Sequence, residues 1–314
     1  MQRTPVLVLV AVGAFLVVLA GMVKFWAADR IISAPAGQYN TVELEAPSAQ
    51  YFSVADGKVL TANLKMLVTT RGDVSQATDS RVVWDEFTVV DDVTNNKPQI
   101  NISERRSAFD RHTGVGVNCC GVSVNKEPVT LEGQIYLFPF GVEKKTYKYF
   151  NQTAKHAFDA TFVSEDTVDG LPVYKFQLKV PPTKIATLSA PASMMGMTGT
   201  GDVQVDRWYE GVDTYWVEPT SGAPVKQEVS RNETLKSQDG VERAKALVAT
   251  ASFTPKTISN LVATARDAKN QITLVKTTIP IALLASGLLA FGAALVVARR
   301  RTPPRAVVKE PVDA

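Results

Sequence analysis

Two uncharged runs bracket the chain. Pro5–Val23 reads PVLVLVAVGAFLVVLAGMV and Ile279–Ala298 reads IPIALLASGLLAFGAALVVA, each close to the length a helix needs to cross a hydrocarbon core. Between them the apolar positions alternate in short stretches. Leu64–Thr70, Tyr147–Tyr149 and Val173–Val180 keep period two, and Val82–Val90 is rich in β-branched and aromatic residues; with Ile100–Phe109 these predict strands, separated by Asp, Asn, Gly or Pro turns. Gly133–Phe140 predicts a strand broken at Pro139. Val203–Trp208, Thr214–Val217, Pro224–Arg231 and Ala244–Phe253 complete the strand set, while Ile185–Gly201, after Pro181-Pro182, shows no period. From Thr257 the period changes, with Ile258, Leu261, Val262, Ala265, Ala268, Ile272 and Val275 at helical spacing.

The expected fold class is therefore mainly β (α+β): an antiparallel β-rich domain flanked by N- and C-terminal transmembrane helices. Phe109–Gly114 (FDRHTG) and Val217–Gly222 (VEPTSG) share a strand, acid, turn, glycine order, which points to two related curved half-sheets. The expected division is an anchor over 1–30, the β-rich domain over 31–255, an amphipathic juxtamembrane helix over 256–278, a transmembrane helix over 279–298 and a basic tail over 299–314.

Charge fixes the expected orientation. Arg299-Arg300-Arg301 follows the second run directly, a signal for retention on the cytoplasmic side. The first run is followed by Lys24-Phe25-Trp26 instead of a small-residue cleavage site, so it reads as a retained anchor. Both termini are then cytoplasmic and the β-rich domain is periplasmic, at the plasma (inner) membrane. The chain's net charge of +3 resides in its tails: without Arg3, Arg299–Arg301, Arg305, Lys309, Glu310 and Asp313 the remainder is near neutral. No clustered positive field is left for nucleic acid.

Candidate chemistry is sparse. His112 and His156 come with no nucleophile elbow, zinc motif or phosphate loop, so no enzyme activity, metal or other cofactor is expected. Cys119 and Cys120 are adjacent, and either form a vicinal disulfide or sit as two small thiols in a turn.

The strings YLFPFGVEKKTYKYFN, VDGLPVYKFQLKVP and YWVEPTSGAPV resemble the actinobacterial envelope family called porin PorA, over nearly the whole chain including both anchors. The resemblance implies a plasma-membrane protein with a periplasmic ectodomain. For members from mycolic-acid-containing species it implies an accessory role in glycolipid trafficking beside a large lipid exporter. TYWVEPTSGAPVKQEV is also similar to a strand–turn–strand of periplasmic lipoprotein carriers, whose curved sheet cradles acyl chains. The expected function is accordingly non-enzymatic binding or hand-over of an envelope lipid or glycolipid. Tyr136, Phe138, Phe140, Tyr147, Tyr149, Tyr174 and Phe176 are the candidate lining, and the thioethers of Met194, Met195 and Met197 a candidate lid. A structural or regulatory interaction protein is the alternative. A pore ranks below both, because Lys144, Lys145 and Lys148 put charge on strand faces and two crossings enclose no channel without oligomerising.

Overall fold

The structure is a computed structural model that describes residues 4–299. It contains two compact units, one made by the residues up to Ile32 with those from Asn270 on, the other by Ser33–Lys269. The expected basic tail lies outside the described residues except for Arg299.

The first unit is a pair of apolar helices, α1 (Thr4–Met22), extended by a π turn at Val23–Ala27 and α2 (Ala28–Ile31), and a second helix entered through a π turn at Leu274–Thr278. Their seam is cut from small residues. Gly13 and Ala20 are buried on α1, and Pro280, Gly287 and Ala294 on the second helix (Ile279–Arg299), each set recurring every seven residues. That spacing holds one face against a partner helix. A Cβ on Gly13 would stand 3.0 Å from the Gly287 carbonyl oxygen, and one on Gly287 equally close to that of Gly13. The backbones meet because neither residue has a side chain. Elsewhere the helices present Leu7, Phe15, Val18 and Leu289 outward, as a lipid-facing surface does.

The second unit is one twelve-stranded antiparallel sheet. Its first half is β1 (Tyr39–Ser53), β2 (Lys58–Gly72), β3 (Arg81–Asp92), β4 (Lys97–Asp110), β5 (Ser123–Val124) and β6 (Glu127–Pro128). Its second half is β7 (Tyr147–Asn151), β8 (His156–Val168), β9 (Leu171–Pro191), β10 (Asp202–Val217), β11 (Pro224–Ser237) and β12 (Glu242–Phe253). The order β6-β5-β4-β3-β2-β1-β12-β11-β10-β9-β8-β7 makes two consecutive meanders, back to back, joined where β1 pairs with β12. The expectation of an antiparallel β domain built from two half-sheets therefore holds. The sheet curls into a half-barrel, with Leu44, Ala46, Ala62, Leu64 and Ala251 buried on its inner face around the central junction.

Between the second meander and the helix of the first unit comes α3 (Pro255–Thr273). Thr254 caps it, accepting from the Thr257 amide at 3.2 Å, while its own amide donates to the Glu43 carbonyl at 3.0 Å. Ile258, Leu261, Val262 and Ala265 pack on the outer side of the sheet against Val168, Leu171, Trp216 and Val225. This is the apolar stripe that the helical spacing foretold. The last helix, Ile279–Arg299, is α4.

Three expectations need correction. β10 is one strand through Gly211, whose missing side chain lets the Tyr209 ring close over it: a Cβ there would lie 2.8 Å from the Tyr209 hydroxyl. β9 runs on through Pro181-Pro182, because the register shifts there between Val180↔Gly211 and Thr183↔Tyr209, so neither proline breaks a ladder bond. Gly133–Phe140 is not a strand but an irregular strap whose backbone bonds elsewhere.

The small-residue seam predicts that Gly287→Leu lowers the melting temperature of the detergent-solubilised chain, by a destabilisation on the order of 1–3 kcal/mol. Gly292→Leu is the control, since a Cβ at Gly292 meets nothing within 4 Å; thermal melts followed by ellipticity compare the two.

Candidate functional site

The strap is the most heavily tied piece of irregular chain. It is anchored at two turns of the same construction. At the end of β4, the Asp110 carboxylate accepts from the amides of His112 and Thr113 at 2.9 and 2.8 Å, and the Gly114 amide returns to the Asp110 carbonyl at 2.8 Å. At the end of β10, Glu218 accepts from the Ser221 amide and hydroxyl at 2.7 and 2.8 Å, and the Gly222 amide returns to the Glu218 carbonyl at 2.9 Å. Gly114 and Gly222 have φ of +75° and +72°, which a side chain resists. Neither has room for one, because a Cβ would lie 2.6 Å from the Gln134 Oε1 or 2.1 Å from the Phe138 carbonyl oxygen.

The strap runs from one turn to the other. The Ile135 amide donates to Gly114 and the Phe138 amide to Gly222, at 3.2 and 2.9 Å. Gly141 and Val142 donate to Thr220 and Pro219. In between, Gln134 donates to the Lys148 carbonyl at 2.8 Å and accepts from the Phe150 amide at 2.9 Å, so β7 is bonded through the strap to Gly114–Gly116 beyond β4. An ion pair from Lys155 to Glu127 spans the same gap. The two ends of the sheet are thereby stitched together.

Beneath the strap the inner face carries buried charge. Arg105 bonds Glu86 at 3.0 Å and lies over the Tyr136 ring at 4.2 Å. Glu233, fully buried, receives both Arg207 and Arg231. Asp213 accepts from Asn151 at 3.0 Å and Tyr215 at 3.4 Å through Oδ2, while its buried Oδ1 has no protein donor. Burial pushes the Asp213 carboxyl up to about 6, and burial also pushes the Tyr209 hydroxyl up to about 12. Among the described residues no group of three His, Cys, Asp or Glu stands where it could hold a metal. The arrangement neutralises charge inside the sheet; it presents no nucleophile with a base beside it.

The outer face is polar in a different way, laced with exposed cross-strand pairs: Lys65–Glu43, Arg106–Asp85, Lys148–Asp159 and Lys184–Asp206. Arg106 also bonds Asp73 at 2.7 Å and donates to the Cys120 carbonyl at 2.8 Å, which fixes the loop where Cys119 and Cys120 are joined in a vicinal disulfide.

The residues expected to line a groove are brought together, but against one another. Phe138 is the hub, with Phe176, Tyr149 and Tyr147 rings at 4.6, 5.3 and 5.6 Å, and Tyr174 packs at the edge of the same cluster. Phe140 is half-buried in the strap, and Tyr136 belongs to the neighbouring cluster with Trp84 and Phe109. Met194, Met195 and Met197 are elsewhere: a turn of 3-10 helix at Ala192–Met195 presses them onto Phe52, Val205 and Leu235, with Met195 2% exposed. Arg105, Arg207, Asp213, Arg231 and Glu233 were missed. Their signal was a charge sharing period two with buried neighbours, as in Tyr209-x-Gly211-x-Asp213-x-Tyr215-x-Val217.

The raised Asp213 carboxyl gives a pH prediction. Its folded pKa, about 6, exceeds that of an unfolded aspartate, so the folded chain binds more protons between roughly pH 4 and 6 and stability falls as pH rises through that window. Asp213→Asn should therefore be more stable than the natural chain by roughly 2–3 kcal/mol near neutral pH, the difference vanishing toward pH 4. Urea melts of both proteins across that range measure it.

The family Porin PorA matches residues 6–296, which takes in both apolar helices and the whole sheet. A Porin PorA of Corynebacterium amycolatum is 34% identical over 171 residues, 43% of this chain and 44% of the relative. A Porin PorA of Corynebacterium resistens is 27% identical over 188 residues, with the same shares covered. The chain thus matches less than half the length of these curated relatives. These names overturn the expected lipid binding and hand-over: they point to a porin, the reading ranked last on the sequence. The packing supplies a physical reason, since the aromatic side chains expected to face acyl chains fill one another's space. With two helices long and apolar enough to cross a membrane, this is a membrane-associated envelope protein. The chain belongs to the Porin PorA family.

Proposed function

We propose that the chain acts as an envelope porin whose membrane wall is built from the α1–α4 hairpins of several copies, not from strands. The observation that carries this reading is a family match that includes both apolar helices, in a chain whose sheet is charged on its outer face. A strand wall facing lipid needs an apolar outer band, and Lys65–Glu43, Arg106–Asp85 and Lys148–Asp159 occupy that position here. Within one copy α1 and α4 touch at Gly13 and Gly287, so a single hairpin leaves no lumen. A passage for water and ions therefore needs more than one copy.

The hairpin also supplies the selectivity. Its π turns carry Lys24 and Lys276, and α2 carries Arg30 beside Asp29, which pairs with Lys276 at 3.3 Å. Such a collar is net positive and favours anions at the mouth. The arginine cluster at 299–301 in the sequence supports a plasma-membrane placement with both termini cytoplasmic and the sheet outside.

The purified full chain in planar bilayers is expected to give stepwise conductance with anion preference. Lys24→Glu with Lys276→Glu should move the reversal potential toward cation selectivity. A chain that inserts and never conducts would sink the reading.

A further inference from the structure

One half of β9 is an open edge. The strand is paired on both sides only as far as Leu178, where its ladder with β8 ends. From Thr183 to Pro191 it is bonded to β10 alone, and among the described residues no main-chain group of residues 183–190 has a partner on the other side. Soluble sheets normally guard such edges with charges, bulges or a covering segment. Here the guard is a single register shift, at Ile185 between Lys184↔Trp208 and Ala186↔Arg207. Thr183–Ala190 carries one charge, Lys184, and it is tied to Asp206 at 2.8 Å. Thr187 and Ser189 donate their hydroxyls to Asp206 and Asp202, so those carboxylates are engaged as well. Pro181-Pro182 and Pro191 bound the stretch without interrupting it. Thr183, Ile185 and Thr187 are β-branched, and Leu188 is 40% exposed.

We propose that this edge pairs antiparallel with the same edge of a second copy, across a two-fold axis at Thr187, fusing two sheets into one. An antiparallel strand is complementary to itself, so one patch serves both partners. In this register Ala186 lies opposite Leu188 of the partner subunit, and no like charges face each other. The choice of a second copy as occupant rests on the porin reading, which requires more than one copy; the open edge does not.

The test uses the full chain in detergent. Cys119 and Cys120 are bonded to each other, so a single introduced cysteine is the only free thiol. Mild oxidation of Thr187→Cys should give a cross-linked dimer at least tenfold above that of Thr161→Cys, on the outer face of β8. Thr187→Lys with Ser189→Lys should halve the particle mass by light scattering while leaving the ellipticity unchanged. Cross-linking no greater than that of Thr161→Cys, or an unchanged mass in the double-lysine variant, would overturn the inference. Bilayer conductance separates it from the porin reading: conductance without cross-linking defeats the edge alone, and cross-linking without conductance defeats the pore alone.

Discussion

A curled sheet with free ends leaves two rows of peptide groups to satisfy, and the rest of this domain depends on how the strap does so. Ten residues of irregular chain from Gly133 to Val142 take their partners from β7, from the turn after β4 and from the turn after β10. Each anchoring turn works because an acid closes it and a glycine at positive φ opens its carbonyl to the strap. Phe138 can be the aromatic hub only because its own backbone is pinned at Gly222. The buried Arg105 lies under the same segment, with Tyr136 of the strap stacked on it.

The two faces of the sheet divide the chemistry. On the outside, ion pairs are exposed and each is worth little. Inside, Glu233 is removed from water while its two arginines are partly exposed, so that carboxylate needs its partners or becomes costly. Asp213 is the member left short, and burial answers by favouring its protonated form. Neither face is suited to contact lipid, whereas the two helices are long and apolar enough to cross a membrane. The small-residue seam of α1 and α4 is consistent with that division of labour.

Much of this was legible in order along the chain. The two apolar runs, the hairpins with alternating residues and the amphipathic stripe of α3 are local patterns, and they folded as read. So were the acid and glycine of the paired turns. The strap was not, because Ile135, Leu137 and Phe138 have the composition of a strand while their backbone partners lie up to about eighty residues away, at Gly222. The buried charges were not, because Asp213 and Glu233 at alternating positions read as a solvent face. The pairing sets Glu233 opposite the buried Tyr209, and Asp213 shares the face of Tyr209 and Tyr215. Met195 looked like loop chemistry, yet the turn that follows β9 folds it onto Val205.

The junction of the two meanders has a consequence for how the domain comes into being. Every other ladder joins neighbours in sequence and can form as a local hairpin. The β1–β12 ladder instead joins Leu44 to Phe253, the first strand to the last. That closure waits until nearly the whole domain has been synthesised, and its loop entropy is the largest of any ladder in the sheet. Until then the first meander is complete on one side of β1 and bare on the other, with Leu44 and Tyr51 uncovered. The slow, aggregation-exposed step of biogenesis is therefore located at the centre of the finished sheet, not at its rim.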